Sequence, residues 1–252
     1  MRKSLCGVVL ITTSIVASTA LPARGASQFG STACSGVRPG AIIQAPRGTI
    51  YTMGFLFRGT DAKKKTANYV ATVGNFVLPT FGTKVYPPKS GPQAYDALGK
   101  PIGRFVYALH SETPAFQSFG LVQLDKNIKP NAQVCHFGGP TGVYTGMDVV
   151  PQTVSYFGNG FPIDALATAR TALTTGAADE DTVWAQGLFS PIDTGDTGAP
   201  FLVGGEALGY WDGGIGGGTG GAGFAIARLG PRLTQVQKAL KLKLVLQTAK
   251  TL

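Results

Sequence analysis

The sequence predicts an all-β protein of two antiparallel β-barrels followed by a C-terminal helix. Glycine (36) and proline (16) are abundant and only 14% of residues are charged, which suits many short strands joined by tight turns. Strand-like runs fall into two series, separated by the polar, proline-bearing stretch Lys126 to Gln133. A helical apolar period is found only near the end, from Leu229 onward.

The elements follow in chain order. Arg2 and Lys3 precede an apolar run from Leu5 to Ala20, and small residues lead to Ala23-Arg24-Gly25. This is the pattern of a secretory signal peptide over 1–25, with cleavage after Gly25 or after Ala20. No later run reaches the ~18 uninterrupted apolar residues of a membrane span, so a secreted protein in the extracellular space or cell envelope is expected. Cys6 lacks a lipoprotein context. Residues 26–252 are read as one unit, with barrel one at about 47–125, barrel two at about 134–228, and a helix and tail at 229–252.

Ala26 to Pro46 is small and polar and reads as an arm. The first strand-like series is Thr49 to Arg58, Thr66 to Leu78, Phe81 to Tyr86, Gly103 to His110 and Gly120 to Leu124. Each is rich in β-branched or aromatic residues and ends at a turn former or a charged residue. The second series is Gly142 to Val150, Thr153 to Phe157, Ala165 to Leu173, Val183 to Leu188, Pro200 to Val203, Ala207 to Trp211 and Gly223 to Ala227. The glycine-dominated tract Gly213 to Gly223 has no following Gly-Lys-Ser/Thr and reads as a loop, not a phosphate cradle. Leu229, Leu233, Val236 and Leu240 define an amphipathic helix with Pro231 near its start. Lys241 to Gln247 alternates lysine with leucine like a strand.

Composition limits function. The net charge of +9 falls to +6 when Arg2, Lys3 and Arg24 leave with the leader, and the charge is dispersed apart from Lys63-Lys64-Lys65. That cluster reads first as a solvated hairpin turn and second as a site for an acidic polymer; no specific nucleic-acid motif accompanies it. Two cysteines remain after the leader, Cys34 and Cys135, and an even pair in an oxidising compartment favours a disulfide. With His110 and His136 the only histidines, no metal site and no cofactor are expected.

Gly195-Asp196-Thr197-Gly198-Ala199-Pro200 resembles the Gly-Asp-Ser-Gly-Gly-Pro nucleophile loop of trypsin-like serine peptidases, with threonine in the serine's place. Tyr69-Val70-Ala71-Thr72-Val73-Gly74-Asn75-Phe76 resembles the Thr-Ala-Gly-His-Cys segment, with asparagine for the catalytic histidine. Ser118-Phe119-Gly120-Leu121-Val122 resembles the strand beginning Asp-Phe-Ala-Leu-Ile, with serine for aspartate. Asp125, at the far end of that run, is the alternative for the acid position. The chain is thereby similar to secreted bacterial members of this chymotrypsin-fold family. The resemblance implies two six-stranded barrels, a helix packed on the second, a Cys34–Cys135 bridge from arm to linker, and an oxyanion hole from the Gly195 and Thr197 N–H groups. It also implies that Asp196 locks the loop by pairing with a buried cation or amine, and that Pro191 stands at the specificity position.

The chemistry of that family needs a hydroxyl nucleophile, an imidazole base and a carboxylate that orients the imidazole. Asn75 has no usable pKa and cannot be a base; Ser118 cannot stabilise an imidazolium; Thr197 adds a methyl that stiffens the side chain and crowds attack. The expectation is a pseudo-peptidase with no intact catalytic residue, acting by binding a peptide or protein ligand. Two alternatives stand beside it. One is a weak hydrolase using Thr197 with a non-standard base such as His110; the other is a structural cell-envelope or polyanion-binding β protein. His136 reads as structural.

Overall fold

The computed structural model describes residues 34–46, 48–111, 118–146, 151–159, 168–187, 194–218 and 221–252. The expected leader over 1–25, Pro191 and the end of the run Gly142 to Val150 lie outside them. Strands occur in the order β1 (Ile42–Gln44), β2 (Ile50–Thr52), β3 (Leu56–Thr60), β4 (Thr66–Thr72), β5 (Gly82–Val85), β6 (Gln93–Tyr95), β7 (Pro101–His110) and β8 (Phe119–Leu124). The second series is β9 (Thr153–Gly158), β10 (Thr168–Asp179), β11 (Thr182–Gly187), β12 (Pro200–Val203), β13 (Glu206–Gly218) and β14 (Gly221–Arg228). Helix α1 (Leu229–Leu240) and β15 (Lys243–Leu246) follow.

Strands β9 to β14 close a barrel in the order β10-β11-β14-β13-β12-β9, all pairs antiparallel. The first nine-stranded sheet closes by a different device. β2 pairs with β1 and β3 pairs with β4, and the two strands are halves of one run broken at Met53–Phe55. Across the break the Met53 N–H bonds to Ala41 O (2.7 Å) while the Gly54 N–H bonds to Ala71 O (2.8 Å). The run thus changes partner as it bends, and β1, β2/β3, β4, β8, β7 and β6 form a ring of six. β5 and β15 are additions, on β7 and β3 respectively.

Side-chain alternation distributes residues between three cores. In β3, Leu56 enters the interior of barrel one with Ile43, Val70, Phe105 and Val122, whereas Phe57 points to the opposite side. There it joins Phe55, Tyr107, Phe119, Tyr210, Leu229 and Val236 in a core shared by both barrels and the helix. Barrel two is filled by Val154, Tyr156, Val183, Phe201, Trp211 and Phe224, with Tyr156 and Phe201 stacked at 4.4 Å. Burial at this scale is the main favourable term in folding. Cys34 and Cys135 are bonded, with Cα atoms 5.3 Å apart, and both lie in the barrel-one core.

Several expectations are corrected. The arm Ala26 to Pro46 contains β1, which pairs with β2 and β6. The tract Gly213 to Gly223 is not simply a loop: β13 runs to Gly218 and β14 starts at Gly221, paired from Ile215↔Phe224 to Gly218↔Gly221. Glycine is a poor strand former in isolation, but here a neighbouring strand supplies the ladder. Residues 142–146 are not a strand, being tied to β13 only by the bridge Val143↔Ala207. The run Thr66 to Leu78 ends as strand at Thr72, because the N–H groups of Val77 and Leu78 both turn back to Gly74 O. The lysine cluster does lie in the β3–β4 turn, where the Lys65 N–H bonds to Asp61 Oδ1 at 2.8 Å.

Candidate functional site

Four segments converge where the two barrels meet. Asn75 sits on the turn after β4, and the Gly74 before it lies so close to the Leu109 and Phe119 backbones that a Cβ would collide with their carbonyl oxygens. Asn75 is half-buried, and its Oδ1 is buried without a hydrogen-bond partner. The next residue, Phe76, packs on Tyr51 with ring centroids 4.6 Å apart. Ser118, immediately before β8, is 3% exposed and accepts the Ser111 N–H at its hydroxyl (3.2 Å).

Thr197 is also 3% exposed and follows a 3-10 turn over Thr194–Asp196. The loop is held from barrel one: the Thr52 N–H donates to Thr197 O and the Thr52 hydroxyl to Gly195 O, both at 2.8 Å. Asn159 Nδ2 supports that hydroxyl at 2.9 Å, and the Thr72 hydroxyl bonds to Thr52 O at 3.1 Å. Gly198, at φ 93°, takes a conformation costly for other residues, and a Cβ there would strike Thr52 O. Its N–H bonds to Trp211 O (2.7 Å), fixing the loop to β13. The i→i+3 pattern of the 3-10 turn draws N–H groups at its end toward the turn's own carbonyls.

Two residues that motif reading does not reveal complete the site. The first is Arg170 of β10, which donates two bonds to the fully buried Asp196, Nη1 to Oδ2 at 2.7 Å and Nη2 to Oδ1 at 2.8 Å. The Arg170 guanidinium also lies 5.3 Å from the centre of the Tyr156 ring. This fork is the geometry in which a buried carboxylate is best compensated. The second residue is Asp212 of β13, 6% exposed, whose Oδ2 receives the Ser118 N–H at 2.5 Å. Its Oδ1 has no partner. Burial pushes the Asp212 carboxyl up to about 8, opposed by the Ser118 hydrogen bonds and by Arg232. Burial, with Asp212 second, also raises the Tyr51 and Tyr210 hydroxyls.

The structure therefore brings the segments of Asn75, Ser118 and Thr197 to one interface, linked through Tyr51, Thr52 and Asp212. His110, at the end of β7, is engaged elsewhere: its Nδ1 lies 2.8 Å from Leu78 O and its ring 4.7 Å from Phe81. Since a carbonyl only accepts, Nδ1 carries the proton in neutral His110. Asp125 begins the turn after β8, exposed, with its N–H on Ile102 O. His136 is exposed beside Phe137. Among the described residues no group of His, Cys, Asp and Glu is arranged to hold a metal ion.

No family model matches the chain, and no curated protein matches it in sequence. Solved structures do match. A glutamic-acid-specific serine protease superposes with a TM-score of 0.52 at 17% identity, covering 85% of this chain and 100% of its own. The chymotrypsin of Cellulomonas bogoriensis gives 0.52 at 16% identity over 84% and 100%. A Nocardiopsis protease gives 0.51 at 15% identity over 83% and 99%. At these identities the likeness is one of fold: this is a chymotrypsin-like two-barrel protein with a C-terminal helix.

Proposed function

We propose that this chain is a catalytically inactive protein of the trypsin-like peptidase fold, working outside the cytoplasm by binding a peptide-like ligand in the cleft between its barrels. The observation that carries the reading is Asn75 on the turn that the resemblance assigns to the general base. An amide there can hold a ligand by hydrogen bonds but cannot accept a proton near neutral pH. The bond from His110 Nδ1–H to Leu78 O leaves Nε2 able to accept a proton, so the alternative of Thr197 with His110 stands as a second reading, and the Thr197→Ala control decides between them. Secretion is supported by the leader-like first 25 residues and agrees with the Cys34–Cys135 bond.

The test is reconstruction of the relay. Asn75→His, Ser118→Asp and Thr197→Ser would supply the missing groups, but a new carboxylate at 118 would face buried Asp212 and neither would ionise easily. Asp212→Ser therefore belongs in the same variant. It is expected to hydrolyse activated esters on the order of 100-fold faster than the parent, whereas the parent and Thr197→Ala are equally inert. Parent activity that vanishes in Thr197→Ala would overturn the inactive reading. A folded quadruple variant that is inert and does not react with a phosphonate probe would overturn the assignment of the three positions.

A further inference from the structure

A second concave surface lies away from the converging segments of the candidate site. A groove of about 1060 Å³ runs between the Asp61–Lys65 turn, β5 and the end of α1, and none of Asn75, Ser118, Thr197 or Asp212 lines it. Three lysines from distant parts of the chain reach it: Lys65 from the turn, Lys126 after β8, and Lys241 at the helix end. The pairing Lys243↔Thr60 sets a fourth beside the turn. Lys84 lies 5.0 Å over the ring of Tyr86, itself a wall of the groove, and Lys63 and Lys64 stand exposed on the turn. The carboxylates lining it are Asp61, occupied with the Lys65 N–H, and Asp125. Cationic charge thus gathers here on a chain whose other lysines are scattered.

Between the lysines the groove presents the apolar Val85, Leu240 and Leu242 beside the polar Asn68 and Gln123. Val85 is 47% exposed. It belongs to β5, whose four residues are all exposed and which, among the described residues, pairs only with β7. With β5 on one edge of β7 and β8 on the other, the groove floor runs across the sheet face from Val85 over Val106 to Gln123 and Tyr69. We propose that this groove docks an extended acidic segment of a partner protein, which lays apolar side chains on Val85, Leu240 and Leu242 and sets its carboxylates against the lysines. Lysine ammonium groups are point charges that impose little geometry on carboxylates, so successive acidic residues of an extended chain can each meet one. A sulfated glycan would use the lysines but not the apolar residues between them.

The experiment is fluorescence anisotropy with a labelled peptide of alternating glutamate and valine. A groove variant, Lys65→Gln/Lys126→Gln/Lys241→Gln, is compared with an equally charged control, Lys100→Gln/Lys129→Gln/Lys250→Gln. The groove variant is expected to bind about tenfold more weakly than the parent, and the control within about twofold. A peptide of alternating glutamate and serine, lacking the apolar side chains, is expected to bind more weakly than the valine peptide. Equal losses in both variants would mean diffuse attraction and overturn the proposal. So would equal binding of the two peptides, absence of binding to either, or tighter groove-dependent binding of a heparin oligosaccharide.

Discussion

Asp212 is the residue whose surroundings are most at odds with its charge. Its ordinary carboxyl value is 3.8 and the folded value is about 8, so between these limits the unfolded chain ionises while the native chain holds its proton. Stability is therefore undiminished below pH 4 and falls as pH rises towards 8. Asp212→Asn is expected to remove this slope, leaving the variant more stable than the parent by on the order of 2 kcal/mol at pH 8.5 and nearly equal at pH 4. Urea unfolding midpoints at the two pH values check it. Arg170 differs, since its fork of hydrogen bonds is what compensates the buried Asp196. Arg170→Met strands the Asp196 carboxylate and should cost about 3–5 kcal/mol, whereas Arg170→Met with Asp196→Leu should recover much of that loss. Denaturation of the single and double variants measures the difference.

At the scale of elements, the tail strand is the part most open to test. Leu244 of β15 is 6% exposed and joins the core shared by the helix and both barrels. Leu244→Ala is expected to cost about 2–4 kcal/mol, read from denaturant midpoints, while Val245→Ala, on the exposed side at 52%, stays within about 0.5 kcal/mol. The alternation of lysine and leucine made this strand legible in the sequence, and the three-to-four spacing of leucines did the same for α1. β1 and β6 were hidden because three residues are too few to carry a period. The glycine tract hid the β13–β14 hairpin because its ladder is supplied by pairing rather than propensity. The motif loop and its neighbours marked Asn75, Ser118 and Thr197, but Arg170 and Asp212 meet their partners only through sheet register. Asp212 stands 94 residues from the serine it contacts, and no local pattern joins such pairs.

For the whole molecule, the Cys34–Cys135 bond ties the segment before β1 to the stretch leading into barrel two, closing a separation of 101 residues. Replacing both cysteines with serine is expected to lower stability by about 2–4 kcal/mol, seen as a lower melting temperature without loss of the fold. The position of β15 bears on how the protein is made. Its partner β3 lies near the start of the chain, and barrel two is strung between them. Until β15 docks, the outer edge of β3, Leu56–Thr60, therefore stays uncovered. The six-strand ring can form without β15, and a chain at that stage carries an unpaired strand edge, an invitation to pair with a second copy. Chains ending at Leu240 should freeze that vulnerable stage, and light scattering is expected to show them self-associating where the full-length protein does not.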